Sequence, residues 1–453
     1  MIPDLRRSRI AKVITDAAGS ERDFDQAAAA LDAVHVAVVT NSGGIASAAA
    51  QAAVVTALNT AVKSFGKATL VCPHDIALEA RLALGNDLFA VADACGAQVS
   101  ALLPSSVTHI VAVGDSPAAG AFVRCWWDGW SAGVIPGWDD DPCGKFGNPL
   151  AGVFAGALAV REVFANAIGR RHSVNRRSVI SLWQPWSQGG EPEQPPTALI
   201  LPRSLWLVGL GHVGQGFLWS LAFLPAAGTH AILQDDQTVG EENVGTGLVT
   251  QLLDFEKENK KTRVAARWLE AAGWTTSLLE RRNYGDLQPT NNDPPVVLTS
   301  LDEPTARLAI AKAGHSFMID AGVGHGAFDF EIGQIRVVPK GADTEGLWAH
   351  AAKPKNIDVI LETPAYREHA RKYDGCGTFS LAEASAAVPF VGAAVGALTI
   401  VQLLRIASMC STPRIMQVEL NAPETVSAGT MNPTAAQGLG GIELRWEIGR
   451  ASN

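Results

Sequence analysis

The sequence predicts an α/β fold built twice, as two successive sheets of mostly parallel strands with helices on both faces. Three observations predict it. Apolar runs of strand length alternate with longer helical stretches along most of the 453 residues, the pattern of parallel strands joined by crossover helices. The same order of elements recurs on either side of "WQPWSQGGEPEQPP", residues 183–196, whose Pro, Gln and Gly content marks a connection. Two pairs of segments also match in the same order. "VAVGDSP" (111–117) pairs with "LTSLDEP" (298–304), setting Asp115 against Asp302 and Pro117 against Pro304. "PLAGVFAGALAVREVF" (149–164) pairs with "PFVGAAVGALTIVQLL" (389–404), sharing the Pro, both glycines and a Gly-Ala-Leu core. Ordered self-similarity of this kind is the mark of internal duplication.

The elements follow in order. In the first half "VHVAVVTNSGG" is a strand entering an Ala-rich helix, and "KATLVCPHD", "THIVAVGDSP" and "WSAGVIPG" supply further strands. In the second half "SLWLVGL" is a strand, followed by a glycine turn and the helix through "GFLWSLAFL". Next come the strand "HAILQDD", the helix "KKTRVAARWLEAA", the strand-and-helix segment "PPVVLTSLDEP", and the strand "HSFMIDAGVG". The run 386–404 approaches the length of a membrane span. It is rich in Ala and Gly, is interrupted by Pro389 and has no companion, so it is expected as a buried core helix with no membrane partner. Residues 411–453 are expected as turns plus one strand. This gives a first domain over 1–182, a linker over 183–200 and a second domain over 201–453.

Composition narrows the function. A net charge of −9 argues against a nucleic-acid partner, which selects basic surfaces. The six cysteines are scattered with no C-x-x-C pair, so neither a structural zinc nor a disulfide framework is expected. The N-terminal stretch has basic residues but no apolar signal region, which fits a cytoplasmic protein. His212, His315 and His325 are expected in turns or packing, since no second ligand is suitably spaced.

"LVGLGHVGQG", residues 207–216, carries the chemistry. Gly209, Gly211 and Gly214 have the spacing of a phosphate-binding turn between a strand and a helix N-terminus. Dehydrogenases, flavoenzymes and adenylyltransferases all build such turns, and Asp235, 24 residues past Gly211, suits a ribose in any of them. The first half has Thr40, Ser42 and Ile45 where these glycines stand, so its copy is degenerate.

The stretch "LQDDQTVGEENVGTG", then "KKTRVAARWL", then "LTSLDEPTAR" resembles the ThiF-like family, which includes ubiquitin-activating enzymes and the adenylyltransferases of thiamine and molybdopterin synthesis. The resemblance spans about 200–405. It implies two pseudo-repeated Rossmann-like (ThiF-type) adenylation domains with mostly parallel sheets, the first degenerate. Asp235 matches the ribose-binding Asp, and Val239 with Asn243 the V-x-x-x-N motif. Lys261 matches the phosphate-binding Lys and Asp302 the magnesium-associated Asp, with Arg307 following it. ATP and Mg2+ are thereby implied. A phosphate site needs such a set: amides and a Lys to neutralise charge, and a carboxylate oxygen for magnesium. There is one departure. The family's Arg and Gln after the Asn motif are Thr246 and Gly247 here, leaving Lys260, Arg263, Arg6, Arg7 or Arg9 as the replacement cation.

In ubiquitin-activating relatives a cysteine on a crossover loop takes up the activated carboxylate, and segment 340–384 lies where that loop is expected. Within it Cys376 stands between two glycines, downstream of His369, Arg371 and Lys372 and next to Asp374. Exposure and nearby cations favour a thiolate. Cys72 and Cys410 are expected to be buried, and Cys143 lies among acids. The resemblance therefore implies adenylation of the C-terminus of a ubiquitin-like protein, a thioester on Cys376 and transfer to a conjugating enzyme. It also implies a homodimer or a pseudo-dimer within one chain. The short chain without zinc cysteines resembles the bacterial versions found in conjugation operons linked to antiviral defence. Three alternatives stay open: adenylation of a sulfur-carrier, peptide or tRNA carboxylate without a thioester, an NAD(P)-dependent oxidoreductase, and a catalytically dead scaffold.

Overall fold

A computed structural model describes residues 5–444 apart from 18–22, 42, 117, 146–147, 171–174, 188–191, 227, 349–356, 374, 433 and 435–437. Ser42, Pro117 and Asp374 therefore lie outside the described residues.

The chain opens with helix α1 (Ser8–Ala17), followed by strand β1 (Val36–Val39) and helix α2 (Ala48–Phe65). Ser47 caps α2 by accepting from the Ala50 amide at 3.1 Å, and Gly66 ends it in the left-handed conformation at φ 76°. Strands β2 (Ala68–Val71), β3 (Gln98–Ser100), β4 (His109–Val113), β5 (Val123–Asp128) and β6 (Ser131–Pro136) follow. Helix α3 (Pro149–Ala167) and strand β7 (Ser178–Ser181) complete the half. The sheet order is β3-β2-β1-β4-β5-β6-β7. Its first five strands run parallel, and the β5–β6 and β6–β7 pairs are antiparallel.

The second half repeats this plan: β8 (Ser204–Val208), helix α4 (His212–Ala222), β9 (His230–Gln234), short helix α5 (Glu241–Thr246), helix α6 (Lys261–Ala271), β10 (Thr275–Leu279) and β11 (Val296–Thr299). Strands β12 (Phe317–Val323) and β13 (Ile332–Pro339), helices α7 (Gly375–Glu383) and α8 (Pro389–Ala407), and strands β14 (Ile415–Glu419) and β15 (Ser427–Ala428) complete it. The order is β10-β9-β8-β11-β12-β13-β14-β15, again five parallel strands and then antiparallel ones. Strand for strand, the first seven positions of the two sheets carry the same order and the same senses. The expected fold class holds.

The shared glycines now have a reason. A Cβ on Gly152 or Gly156 of α3 would collide with the carbonyls of Ala49 and Ala53 of α2. In the second half a Cβ on Gly216 of α4 would collide with Gly392 of α8, and one on Gly396 with Gly216. Each half thus packs its two long helices backbone to backbone through small residues, so the two Ala/Gly-rich sequences were constrained alike. Helix α8 is buried along its whole length, as expected of a core helix. Contrary to expectation it has a companion: α3 also has the length and hydropathy of a membrane span, and it too is packed inside the molecule.

The halves meet through α2, α3, α4 and α8. Arg161 of α3 donates to Glu331 at 2.6 Å and to Glu162 at 2.9 Å, a buried charge cluster across the junction. Such a cluster holds its geometry because leaving any member unpaired costs about 3–5 kcal/mol. The start of the connection, at Trp183 and Trp186, is docked. Trp183 is buried, and the Arg405 guanidinium lies over both Trp183 and Trp186 while donating to the Trp183 carbonyl at 2.9 Å.

Two expectations need correction. The C-terminal stretch is more than turns and one strand, because it supplies β14 and β15 to the second sheet and Gly441–Leu444 to pair with Leu199–Pro202. The described part of segment 340–384 is more than a loop, because Ile357–Leu361, Pro364–Lys372 and α7 are helical.

Candidate active site

A cleft of about 1020 Å3 opens at the C-terminal ends of the second sheet's parallel strands, where the order turns from β8 to β11. Parallel sheets place their ligand crevices at this kind of switch point. Gly209, Gly211, Asp235, Asn243, Lys261 and Asp302, called from sequence, all line it, and Gly214 lies one turn into α4 behind the loop.

Each glycine has its own reason. Gly209 sits at φ 83°, and a Cβ there would lie 2.8 Å from the Ser300 carbonyl. Gly214 lets α4 touch the Gly209 carbonyl, which a Cβ would displace. Gly211 caps α4, and nothing lies within 4 Å of where its Cβ would be, so the helix N-terminus faces open space.

Asp235 ends β9 and holds the turn: its carboxylate accepts from the Leu210 amide at 2.8 Å and from the Gln237 amide at 2.8 Å. Asn243 is buried in α5, where its side-chain oxygen accepts from the Gly240 amide at 2.9 Å. Lys261 opens α6 and donates to Gln237 Oε1 at 2.6 Å, which leaves two ammonium donors for a ligand. Asp302 is exposed in the cleft and has no protein partner among the described residues. A free carboxylate there suits magnesium, which takes one or two protein oxygens and completes its shell with phosphate and water, and Glu383 is another exposed carboxylate on the cleft's lining. Arg307 stands behind it, donating to the Leu301 carbonyl at 2.6 Å and to the buried carboxylate of Asp320 at 2.9 Å. Asp320 in turn accepts from Thr299 at 2.8 Å and Trp348 at 3.0 Å, a cluster the sequence did not reveal.

One of the five candidate replacement cations stands at the cleft, and it belongs to the first half. Of the five candidates, Arg9 on α1 and none of the other four lines the cleft. Its guanidinium stands 3.4 Å from Glu242 of α5. Arg6 and Arg7 line a separate cavity on the far side of α5, Lys260 donates to the Asp236 carbonyl at 2.8 Å, and Arg263 is paired with Glu280 at 2.9 Å. Gly247 has no side chain because a Cβ there would meet the buried amide of Gln215.

Two histidines expected in turns or packing also line the cleft. Half-buried His212 donates from Nε2 to the Val388 carbonyl at 2.9 Å. Burial, with Arg9 adding to it, pushes this ring down to about 4, so it is neutral near pH 7. His325 bonds Ser385 at 2.6 Å, and its carbonyl accepts from the Ala386 amide at 2.9 Å. Together they tie down 385–388, between α7 and α8.

Cys376 is exposed in the first turn of α7 and does not line the cleft. Ser380 and Glu383, four and seven residues on and so along the same helical face, do line it. Cys376 therefore lies about 6 Å of helix rise from Ser380, at 1.5 Å per residue. The cations expected to favour its thiolate are committed elsewhere. Arg371 pairs with Glu368 at 2.7 Å, and Lys372 pairs with Asp25 of the first half at 2.7 Å. His369 is buried against Thr378 at 2.7 Å. Of the other cysteines, Cys72 is buried as expected, whereas Cys410 is only half-buried.

The first half's counterpart is filled by its own side chains. A Cβ on Gly44 would collide with Ser116 Oγ, which also bonds Thr40 at 3.4 Å. Arg124 donates to the carbonyls of Gly114 at 2.7 Å and Ser116 at 2.8 Å. Asp115, the partner of Asp302 in the repeat, is spent accepting the Cys143 amide at 2.7 Å.

The BilD N-terminal domain family matches residues 35–182, and the BilD C-terminal domain family matches residues 201–410. The bacterial E1-like protein BilD of Collimonas sp. (strain OK412) is 32% identical over 348 residues, which is 74% of this chain and 72% of that protein. Among solved structures, the Escherichia coli MccB complex with MccA aligns at 15% identity and TM-score 0.35, over 52% of this chain and 66% of that one. MccB with succinimide aligns at 14% and 0.32. The alignment thus spans just under two thirds of the MccB chain.

Proposed function

The chain belongs to the BilD family of bacterial E1-like proteins, and from that premise we propose that it uses ATP to activate the C-terminal carboxylate of a ubiquitin-like protein. The observation that carries the reading is the convergence of Arg9, the Gly209–Gly214 turn, Lys261 and Asp302 on one cleft. The turn's amides and the α4 N-terminus cradle phosphates, while Lys261 and Arg9 supply the positive charge. Asp302 is the ligand for magnesium, which when bound neutralises phosphate charge.

A carboxylate oxygen of the modifier attacks the α-phosphorus of ATP, the bond to the bridging oxygen breaks, and pyrophosphate leaves. The site contributes positioning and charge neutralisation, since two anions must meet in line. The Cys376 thiol first loses its proton to solvent, and the thiolate then attacks the acyl carbon, forming the thioester bond and breaking the acyl–phosphate bond to expel AMP. A cysteine of a conjugating enzyme takes the acyl group in a further thioester exchange. The Cys376 face of α7 running into the cleft through Ser380 and Glu383 supports this order. A place in a conjugation system acting in antiviral defence is part of the same proposal. One observation favours a second reading, adenylation without an enzyme thioester: Cys376 lies outside the cleft and its neighbouring cations are paired away.

The test is incubation with ATP, magnesium and a candidate ubiquitin-like protein, followed on a non-reducing gel and by pyrophosphate exchange. The expected result is exchange together with a thiol-sensitive adduct that Cys376→Ala removes. Exchange with no adduct in the wild type supports the second reading. An adduct that survives Cys376→Ala sinks the cysteine assignment.

A further inference from the structure

Helix α2 belongs to the half without a nucleotide loop, yet one face of it is bonded to the other half. Thr56, Asn59 and Lys63, spaced three and four residues apart, share that face. Thr56 Oγ1 accepts from Trp219 Nε1 at 2.9 Å, and Asn59 Nδ2 donates to the Leu248 carbonyl at 3.0 Å. Lys63 Nζ donates to two carbonyls, Val244 and Thr250, each at 2.7 Å. Those carbonyls flank the turn that follows α5, where the family's Arg and Gln are replaced by Thr246 and Gly247.

We infer that Lys63 is a positioning residue for the nucleotide: it clamps turn 244–250 against Gln215, and through Gln215 it sets the glycine loop. The inference rests on the nucleotide reading of the cleft. On the turn's inner side Gln215 Oε1 accepts from the amides of Val249 at 3.0 Å and Thr250 at 3.2 Å. Gln215 Nε2 donates to Thr250 Oγ1 at 2.8 Å and reaches the Leu210 carbonyl at 3.4 Å. Leu210 lies between Gly209 and Gly211, and its amide is held by Asp235. A continuous chain therefore runs from Lys63 through the turn and Gln215 to the phosphate loop. The same turn ends α5, so it also carries Asn243, which lines the cleft.

The residue type fits the task. The last carbonyls of a helix lack intrahelical partners and sit at the negative end of its dipole, where an ammonium is favoured. Burial brings Lys63 down to about 8, still above neutrality, so it keeps its charge at pH 7. Gln215 and Thr250 are buried, so their mutual bonds are shielded from water, while Lys63 and the Val244 end of the turn line the cavity beyond α5, where loss of the ammonium leaves two carbonyls without their charged donor.

The experiment measures binding of a fluorescent ATP analogue to the full chain, with pyrophosphate exchange alongside. Lys63→Met weakens nucleotide binding and raises the KM for ATP by about tenfold, the scale of a lost charge-assisted hydrogen bond, with kcat within about twofold. Gln215→Leu does the same. The double variant binds no worse than the weaker single one, because both break one chain. Lys63→Gln keeps an amide donor and loses about threefold, which guards against a Met variant that fails to fold. The inference is overturned if the folded Met or Gln variant binds nucleotide as the wild type does, or if the two single losses multiply. Weakened binding by Lys63→Met in a protein that exchanges no pyrophosphate upholds the clamp and overturns the adenylation reading. Exchange that Lys63→Met leaves unchanged does the reverse.

Discussion

Replacing Arg9 with Ala tests whether the degenerate half completes the active one. In the free protein Arg9 Nη2 stands 3.4 Å from Glu242, with about a third of each side chain exposed. A pair so long and so wet is worth about 0–1 kcal/mol. A guanidinium on a phosphate inside the cleft is worth about 1.5–3 kcal/mol, so the exchange of partners nets about 1–2 kcal/mol. The expected loss in kcat/KM for ATP, read by pyrophosphate exchange, is therefore about 5- to 30-fold. Arg9→Lys restores part of it, since charge remains while the planar fork is lost.

Arg6→Ala and Arg263→Ala are the controls. Arg6 lines the cavity beyond α5, and Arg263 is paired with Glu280 on an exposed face, so each should stay within about twofold of wild type. An unchanged Arg9→Ala enzyme, or equal losses from the two controls, would refute the assignment of the replacement cation.

Asp302→Asn removes an exposed carboxylate beside the glycine loop and should raise the magnesium needed for half-maximal exchange about tenfold, with the fold intact by circular dichroism. Gly396→Val forces a side chain into the backbone of Gly216, so chemical unfolding should show a loss of at least about 2 kcal/mol. Gly156→Val should cost a similar amount against Ala53, because the repeats use the same contact; a tolerated Val at both sites would refute that packing. Burial lowers the pKa of His315, which packs edge-on against Trp206. Its lowered folded value makes the unfolded chain the stronger proton binder below about pH 6.5, so this contribution is complete above that pH and lost on acidification. Denaturant midpoints at pH 7 and pH 5 should differ less in His315→Phe than in the wild type.

What the sequence disclosed depended on how locally each feature is determined. The glycine loop, Asp235, Lys261 and Asp302 each sit at the end of a strand or the start of a helix, so their positions follow from the element pattern. The repeat was legible because Gly152, Gly156, Gly392 and Gly396 answer to one packing rule. Helix α7 was hidden because it opens with Gly375, Cys376 and Gly377, and glycines are poor helix formers whose order here comes from tertiary contacts such as buried Thr378 with His369. The setting of Cys376 was hidden for a different reason: Lys372 finds Asp25, 347 residues away, and no local pattern foretells that. Strands β14 and β15 are five and two residues long, too short for periodicity to separate them from turns.

The two halves share one plan of strands and helices, and their differences run in one direction. Asp302 faces the cleft unpartnered, whereas Asp115 is bound to the Cys143 amide. Gly211 opens onto space, whereas Ser116 and Arg124 close over the first half's turn. A copy relieved of phosphate binding need not keep its loop open, and its residues become available to the neighbour. Arg9 reaches into the other cleft, and Thr56, Asn59 and Lys63 bond its framework. Had the first half decayed only through relaxed constraint, its polar groups at the junction would be expected to drift apart from their partners. Instead they meet specific carbonyls at 2.7–3.0 Å, inside a buried junction where an unmatched donor is costly. On the proposed reading the first half is a structural part of the nucleotide site in the second, and variants on its α2 face should alter nucleotide affinity without touching a single residue of the cleft.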